Sequence, residues 1–379
     1  MIPFLMNIWD YVIVFLAILT VVVFVHELGH YLVARWCGVK IETFSIGFGP
    51  ELFGWYDKSG TRWRVSLAPL GGYVKMFGDA DPASTPDSNR EFTAAEKAVA
   101  FQYKNVWQRI AIVVAGPAMN FIFGIVALAI LLSVYGEPRN APVIDQVQDG
   151  SAAAEVGLRK GDRVLEAAGQ EVKTWQDLQR IVQMSVGDSL PLVVSRDDQR
   201  VNVLAHPQVK EITDLFGNVH KTPLLGILPD TAATELVRFN PATALAESVT
   251  QTWDMVTSTL KGIGQMISGL RDSSEVGGPL RIAKGAGAAA KLGLGGVAYY
   301  VILLSINLGL FNLFPVPMLD GGHLMFYVIE VVRGRPLGQK AQEYGFRLGL
   351  FLVFALMLFT TRNDLLDLRV WDFIKRVIS

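Results

Sequence analysis

The chain has 379 residues, of which 51% are hydrophobic and only 18% charged, with a net charge of −1. Soluble domains carry about 25% charge, so the composition points to a membrane protein, and the near-neutral balance argues against a nucleic acid as partner. Cys37 is the only cysteine, which excludes an internal disulfide and a multi-cysteine zinc site.

Four stretches are long and apolar enough to cross a bilayer, which takes about 20 helical residues. The first is Tyr11–Arg35. Met1–Asp10 carries no Lys or Arg and no Ala-x-Ala follows, so this segment is expected to be a retained span rather than a cleaved signal. The others are Ile110–Tyr135, Val297–Leu319 and the shorter Leu348–Thr361, which needs Gly345 and Phe346 to reach full length. The chain thus divides into a first span (1–36), a loop with a hairpin (37–108), a second span (109–135) and an inserted module (138–229). An amphipathic and Gly-rich linker (240–296), a third span (297–323), a fourth (344–362) and a tail (363–379) complete it.

Within the first loop, Ile41–Gly78 alternates apolar and polar residues around turns. Phe53–Gly60 followed by Thr61–Leu67 predicts a β-hairpin. Asp79–Asn89, rich in Asp, Pro and Ser, predicts a loop. In the inserted module, strands are expected at Val143–Val147, Arg163–Ala168, Leu190–Ser195 and Val201–Ala205. Short helices are expected at Ser151–Val156 and at Thr174–Met184, the latter capped by Thr174 with Asp177 three residues on. Asn240–Leu270 spaces Leu245, Val249, Trp253, Val256 and Leu260 as a helix would, and suits a membrane surface. Gly277–Gly296 reads as a Gly-rich lead into the third span.

Basic residues near span ends set orientation. Arg35, Lys40, Lys104 and Arg109 follow the first span or precede the second, and Arg333, Arg335 and Lys340 follow the third. Both loops are therefore expected in the cytoplasm and the inserted module outside it. Arg362, Arg369, Lys375 and Arg376 in the tail pull the other way.

His26-Glu27-Leu28-Gly29-His30 matches H-E-x-x-H inside the first span. Residues four apart on a helix lie one turn along and about 40° around, so His26 and His30 can offer imidazole nitrogens to one Zn²⁺. Glu27 projects beside them as a base for a water that such an ion activates. Ionisable groups inside a span are costly and mark function. A catalytic zinc takes a third protein ligand. It is expected in Asn312-Leu313-Phe314-Pro315-Val316-Pro317-Met318-Leu319-Asp320-Gly321-Gly322-His323, where Asp320 is the obvious carboxylate and His323 a rival by chemistry. Pro315 and Pro317 interrupt the helix there, so freed backbone groups must line a cavity or be buried in protein.

These segments resemble the site-2 protease family, and more narrowly its bacterial RseP-type regulators. Gly116-Pro117-Ala118-Met119-Asn120-Phe121 and Gly277-Gly278-Pro279-Leu280 add to the likeness, which runs over most of the chain. The resemblance implies one Zn²⁺ per chain held by His26, His30 and Asp320, with Glu27 as catalytic base. It implies Asn312, with Pro315 and Pro317 beside it, as the substrate-binding segment, and a membrane-associated hairpin in Ile41–Gly78 that pairs with an unwound substrate. The inserted module is similar to a PDZ domain, most clearly in Val143–Gly169, and there is space for one where some relatives carry two.

The fold class so expected is a polytopic α-helical membrane protein of about four transmembrane helices, with a membrane-associated β-hairpin and one inserted extracytoplasmic PDZ-like α+β domain. The expected function is intramembrane zinc endopeptidase in a bacterial inner membrane, acting on single-span membrane proteins trimmed beforehand, of the anti-sigma-factor or remnant-signal-peptide class. Its partners are those substrates and the lipid bilayer, with no nucleic acid. The alternative is a membrane-anchored PDZ scaffold without catalysis.

Overall fold

The computed structural model describes residues 2–79, 92–185, 189–213, 219–230, 234–270 and 276–367. Of the loop expected at Asp79–Asn89, all but Asp79 lies outside the described residues, as does the tail beyond 367. The chain forms two compact units, Met1–Leu128 with Gly277–Ser379, and Ala129–Val276.

The first unit opens with α1 (Ile2–Trp36), β1 (Ile41–Tyr56), β2 (Arg62–Met76), α2 (Ala94–Val99) and α3 (Val106–Val134). Among the described residues, four helical segments are long and apolar enough to cross a membrane: Tyr11–Trp36, Val106–Val134, Gly293–Asn312 and Lys340–Leu365. They fit a polytopic membrane protein. Pro117 sits inside α3 without ending it, as is tolerated where neighbouring helices satisfy the freed backbone groups.

β1 and β2 form more than a simple hairpin. Ile41–Ile46 pairs antiparallel with Gly72–Met76, while Phe53–Tyr56 pairs antiparallel with Arg62–Val65. Thr43–Ile46 also runs alongside Arg62–Val65 in the same direction. The two long strands thus fold back into four short ones, with Gly72–Met76 at one edge. Asp57 fixes the turn. Its Oδ2 accepts from Tyr31 (2.8 Å) and the Trp63 indole (3.1 Å), and its Oδ1 from the Thr61 amide (2.9 Å) and from both donors of Ser59. Burial opposes ionisation, but these donors hold the Asp57 carboxyl well below the usual carboxylate range. Phe44, fully buried, stacks on Trp63 with ring centroids 4.2 Å apart and seals the sheet against α1.

The second unit holds β3 (Glu137–Asn140), β4 (Ile144–Val147), α4 (Ala152–Glu155), β5 (Arg163–Ala167), β6 (Gln170–Glu171), α5 (Trp175–Gln183), β7 (Leu190–Arg196) and β8 (Gln199–Ala205). Then come β9 (Gln208–Thr213), β10 (Val219–Leu224), β11 (Ile227–Pro229), β12 (Thr234–Val237) and α6 (Pro241–Ile267). The central sheet runs β6-β5-β7-β8, with separate pairings β11-β4, β12-β3 and β10-β9. Alternation in β7 sends Leu190, Leu192 and Val194 inward, where they meet Val164, Leu178 and Ile181. Thr174 and Asp177 close a reciprocal capping box on α5. Helix α6 turns polar residues toward its own unit. Glu247 pairs with Arg139, Asp254 with Arg180, and Gln265 donates to the carbonyl of Met184. Leu245, Val249, Trp253 and Ile267 are left exposed.

The first unit resumes with α7 (Pro279–Lys291), α8 (Gly293–Asn312), α9 (Asp320–Arg333) and α10 (Gln339–Asp367). Gly277–Gly296, read as a Gly-rich lead into the third span, contains α7, whose buried face is Gly285, Ala286, Gly287 and Ala289. Glycine weakens a helix in water by about 1 kcal/mol per residue. Between membrane helices it permits close approach instead: a side chain on Gly287 would overlap the Tyr11 ring, and one on Gly285 the Tyr300 hydroxyl. Asp364 of α10 then caps α7 from outside, its carboxylate accepting from the amides of Gly278 (2.8 Å), Leu280 (3.0 Å) and Arg281 (3.2 Å).

The third span, expected over 297–323 with Pro315 and Pro317 interrupting the helix, is two helices with a break between them. Helix α8 stops at Asn312, residues 313–319 are irregular, and α9 begins afresh at Asp320. Pro315 and Pro317 cannot donate to a continuing ladder, and Met318 takes a left-handed conformation at φ 82°.

In the second unit, the fully buried core ends on one ion pair: Arg196 donates to both oxygens of Asp162 at 2.8 and 2.6 Å, with the Arg159 amide at 2.9 Å. Burial would raise this carboxyl, but the guanidinium and the amide hold it below its ordinary value. Stability from the pair is therefore complete above about pH 4, the unfolded value, and is lost as pH falls through the depressed folded one. Replacing Arg196 with Met is expected to destabilise the unit at pH 7, with the deficit shrinking below about pH 4. Hydrogen exchange over residues 138–229 of the full chain reads both effects, and a pH-independent deficit would contradict the assignment.

Candidate metal centre

His26, Glu27 and His30 lie on α1, and the helix brings both imidazoles to one face as their spacing requires. Both rings are nearly buried, at 7% and 8% exposure. The break between α8 and α9 delivers Asp320 to the same place. His26 Nε2 is 3.2 Å from His30 Nε2 and 3.1 Å from Asp320 Oδ2, and His30 Nε2 is 3.5 Å from that oxygen. Asp320 Oδ2 is buried and makes no hydrogen bond in spite of these short separations.

Those observations fit a metal. Donors about 2.0–2.2 Å from a tetrahedral Zn²⁺ stand about 3.4 Å from one another, which is the spacing found. Two imidazole nitrogens and a carboxylate oxygen converging on one point have a common cation as their natural partner. His30 Nδ1 donates to the carbonyl of Ile112 at 2.8 Å, which leaves Nε2 as a lone-pair donor into the cluster. His26, His30 and Asp320 are the one such group of metal-binding side chains among the described residues. His323 is not in it. Its ring packs on Phe346 with centroids 5.2 Å apart, on the wall of the cavity.

Room for the cluster comes from glycine. A Cβ on Gly116 of α3 would overlap Nε2 of His30, and one on Gly29 would overlap the carbonyl oxygen of Ala115. These two positions let α1 and α3 approach backbone to backbone at the motif itself.

The cluster opens on a cavity of about 680 Å³ that Glu27, Asn312, His323 and the edge strand Gly72–Val74 help to line. The amide of Val74 reaches Glu27. Asn312 places its side-chain nitrogen 3.4 Å from His26 Nε2. Pro315 is exposed, and Pro317 is buried under Gly322 and Gly349; both shape the turn and neither lines the cavity. Asn120, which the sequence marked only as part of a landmark, faces Nδ1 of His26 at 3.2 Å. Its proximity to an H-E-x-x-H histidine has no local signature, since the two are 94 positions apart.

The fold and this cluster define a membrane metalloprotein with a protease motif. The profile of peptidase family M50 matches residues 14–356, and the chain belongs to that family, the site-2 proteases. It is a metalloprotease. A protein of Agrobacterium fabrum, provisionally named a zinc metalloprotease, is 43% identical over 362 residues, 94% of this chain and 96% of its own. A second such protein, of Rhizobium meliloti, is 44% identical over 357 residues, 93% of this chain and 95% of its own. The metalloprotease MmpA of Caulobacter vibrioides is 37% identical over 383 residues, covering 95% and 96%. Among solved structures, the PDZ domain of an SdrC-like protein of Listeria innocua matches 24% of this chain and 93% of its own at 23% identity, with a TM-score of 0.20.

Gly116→Ala is expected to displace His30 and abolish tight zinc retention while leaving the protein in the membrane. Zinc content of the purified variant, set against membrane yield, checks this; retention equal to wild type would refute the packing described.

Proposed function

We propose that this metalloprotease hydrolyses a peptide bond within or beside the transmembrane helix of single-span membrane proteins. The observation that carries the reading is that the cluster and Glu27 lie in one cavity with the edge strand Gly72–Val74, between apolar helices. His26, His30 and Asp320 would hold one Zn²⁺, which when bound supplies Lewis-acid activation of water and of the scissile carbonyl.

The chain's own residues do the rest. Glu27, beside the two imidazoles, takes the proton from the attacking water and passes it to the amide nitrogen as the C–N bond breaks, leaving a carboxylate and an amine. A peptide bond in a helix is shielded by its own hydrogen bonding, so the substrate must unwind. The open edge at Gly72–Val74 offers it a strand to pair with, and the Asn312 amide offers both a donor and an acceptor.

Basic residues at the span ends support a bacterial inner membrane orientation with the loops 37–108 and 334–343 in the cytoplasm. The unit containing residues 138–229 then lies outside, where its PDZ-like module would turn away proteins with bulky outer domains and admit those trimmed beforehand. Anti-sigma factors and remnant signal peptides are the substrate class this favours. The exposed apolar stripe of α6 suits the outer lipid surface.

Glu27→Gln is expected to keep its zinc and to lose cleavage by about 10²–10⁴-fold. The assay is a model single-span protein with a short outer tail, in detergent, with bound zinc measured on the same sample. Cleavage at the wild-type rate by the zinc-loaded variant would overturn the role given to Glu27. Asp320→Asn, in contrast, is expected to lose zinc and cleavage together.

A further inference from the structure

His30 has its tautomer set by the Ile112 carbonyl, but His26 meets no backbone acceptor. Its Nδ1 faces the side-chain amide of Asn120 at 3.2 Å. Asn120 is fully buried, and so is Ser305 of α8 behind it. The Ser305 hydroxyl donates to the Asn120 backbone carbonyl at 3.1 Å and stands 3.4 Å from the Asn120 side chain.

An asparagine amide has two orientations of nearly equal shape, and the partners decide between them. With its nitrogen toward His26, Nδ1 must accept, the ring proton sits on Nε2, and Nε2 has no lone pair for a metal. It would also point that proton into His30 Nε2 and Asp320 at 3.2 and 3.1 Å. With its oxygen toward His26, Nδ1–H is the donor and the Nε2 lone pair faces the cluster. The amide nitrogen then meets Ser305 Oγ, whose own proton already goes to the Asn120 carbonyl and whose lone pair is free to accept. The first arrangement commits the Nε2 proton to Asp320, whereas the second satisfies Nδ1–H with the amide oxygen and the amide nitrogen with Ser305 Oγ and leaves the Nε2 lone pair for a metal.

We propose that Asn120, braced by Ser305, is a positioning residue that fixes His26 in the tautomer whose Nε2 binds the metal. This rests on the reading of His26, His30 and Asp320 as the zinc ligands. The second span then orients both histidines from one face, His30 through the Ile112 carbonyl and His26 through Asn120. Ligating histidines generally donate their other N–H to such an acceptor, and losing it weakens metal binding about 10–100-fold.

The test is the apparent zinc affinity of the full-length protein in detergent, by competition with a chromophoric chelator. Asn120→Leu, similar in shape but without an acceptor, is expected to bind zinc about 10–100-fold more weakly. Asn120→Asp, which keeps an acceptor oxygen and lacks the amide donor, is expected to stay within about threefold of wild type. Ser305→Ala is expected to fall between the two. A merely structural role for Asn120 would not separate Asp from Leu, so equal losses in both overturn the proposal, as does wild-type affinity in Asn120→Leu. Should the Leu variant fail to accumulate, the Asp variant decides alone: retained affinity supports the proposal and a loss of tenfold or more overturns it. Wild-type zinc affinity in His26→Ala would instead overturn the ligand assignment itself.

Discussion

The structure depends on holding two imidazoles and two carboxylates inside a wall of apolar helices. Groups of this kind are expensive at membrane depth, and they persist only where they face one another or a cavity. Each main architectural choice in the first unit serves that requirement. Helix α1 brings His26, Glu27 and His30 on one turn; the break after Asn312 brings Asp320 as the first residue of a new helix. Gly29 and Gly116 remove the atoms that would occupy the space, and Ile112 and Asn120 meet the outer nitrogens of the rings. What remains uncompensated is the buried Asp320 oxygen, and a cation between it and the two Nε2 atoms completes the account.

How much of this was legible in the sequence follows from whether the relevant geometry is local. His26, Glu27 and His30 are readable because one helical turn fixes their relation. The four apolar stretches are readable because length and composition decide them. Asp320 and His323, three residues apart, could not be separated by chemistry alone. Their directions depend on where α9 starts, and that is set by Pro315, Pro317 and the left-handed Met318. The structure brings Asp320 to the cluster and turns His323 onto Phe346.

Elsewhere the missing information was tertiary. No helix was assigned to the Gly-rich stretch that holds α7, where Gly285 and Gly287 lower helix propensity, whereas in the folded unit they are the contact surface for Tyr300 and Tyr11. In the second unit, the central strands and the α5 cap were visible from alternation and from Thr174 with Asp177. The pairings β12-β3 and β11-β4 join residues eighty or more positions apart, and no local pattern announces them. The hairpin was foreseen around Asp57–Gly60, but the run of Thr43–Ile46 beside Arg62–Val65 came only from the structure.

The Asp57 carboxylate is tethered at 2.8 Å by the hydroxyl of Tyr31, the residue next to His30. The turn of the sheet is therefore bolted to the same helix that carries the cluster, while Phe53 and Tyr56 on the far strand are exposed. For the proposed substrate, a workpiece laid along Gly72–Val74 would be gauged from the cutting point by that one helix. The register of the cut would then be set by how the turn is tied to α1 rather than by the outer strand of the sheet.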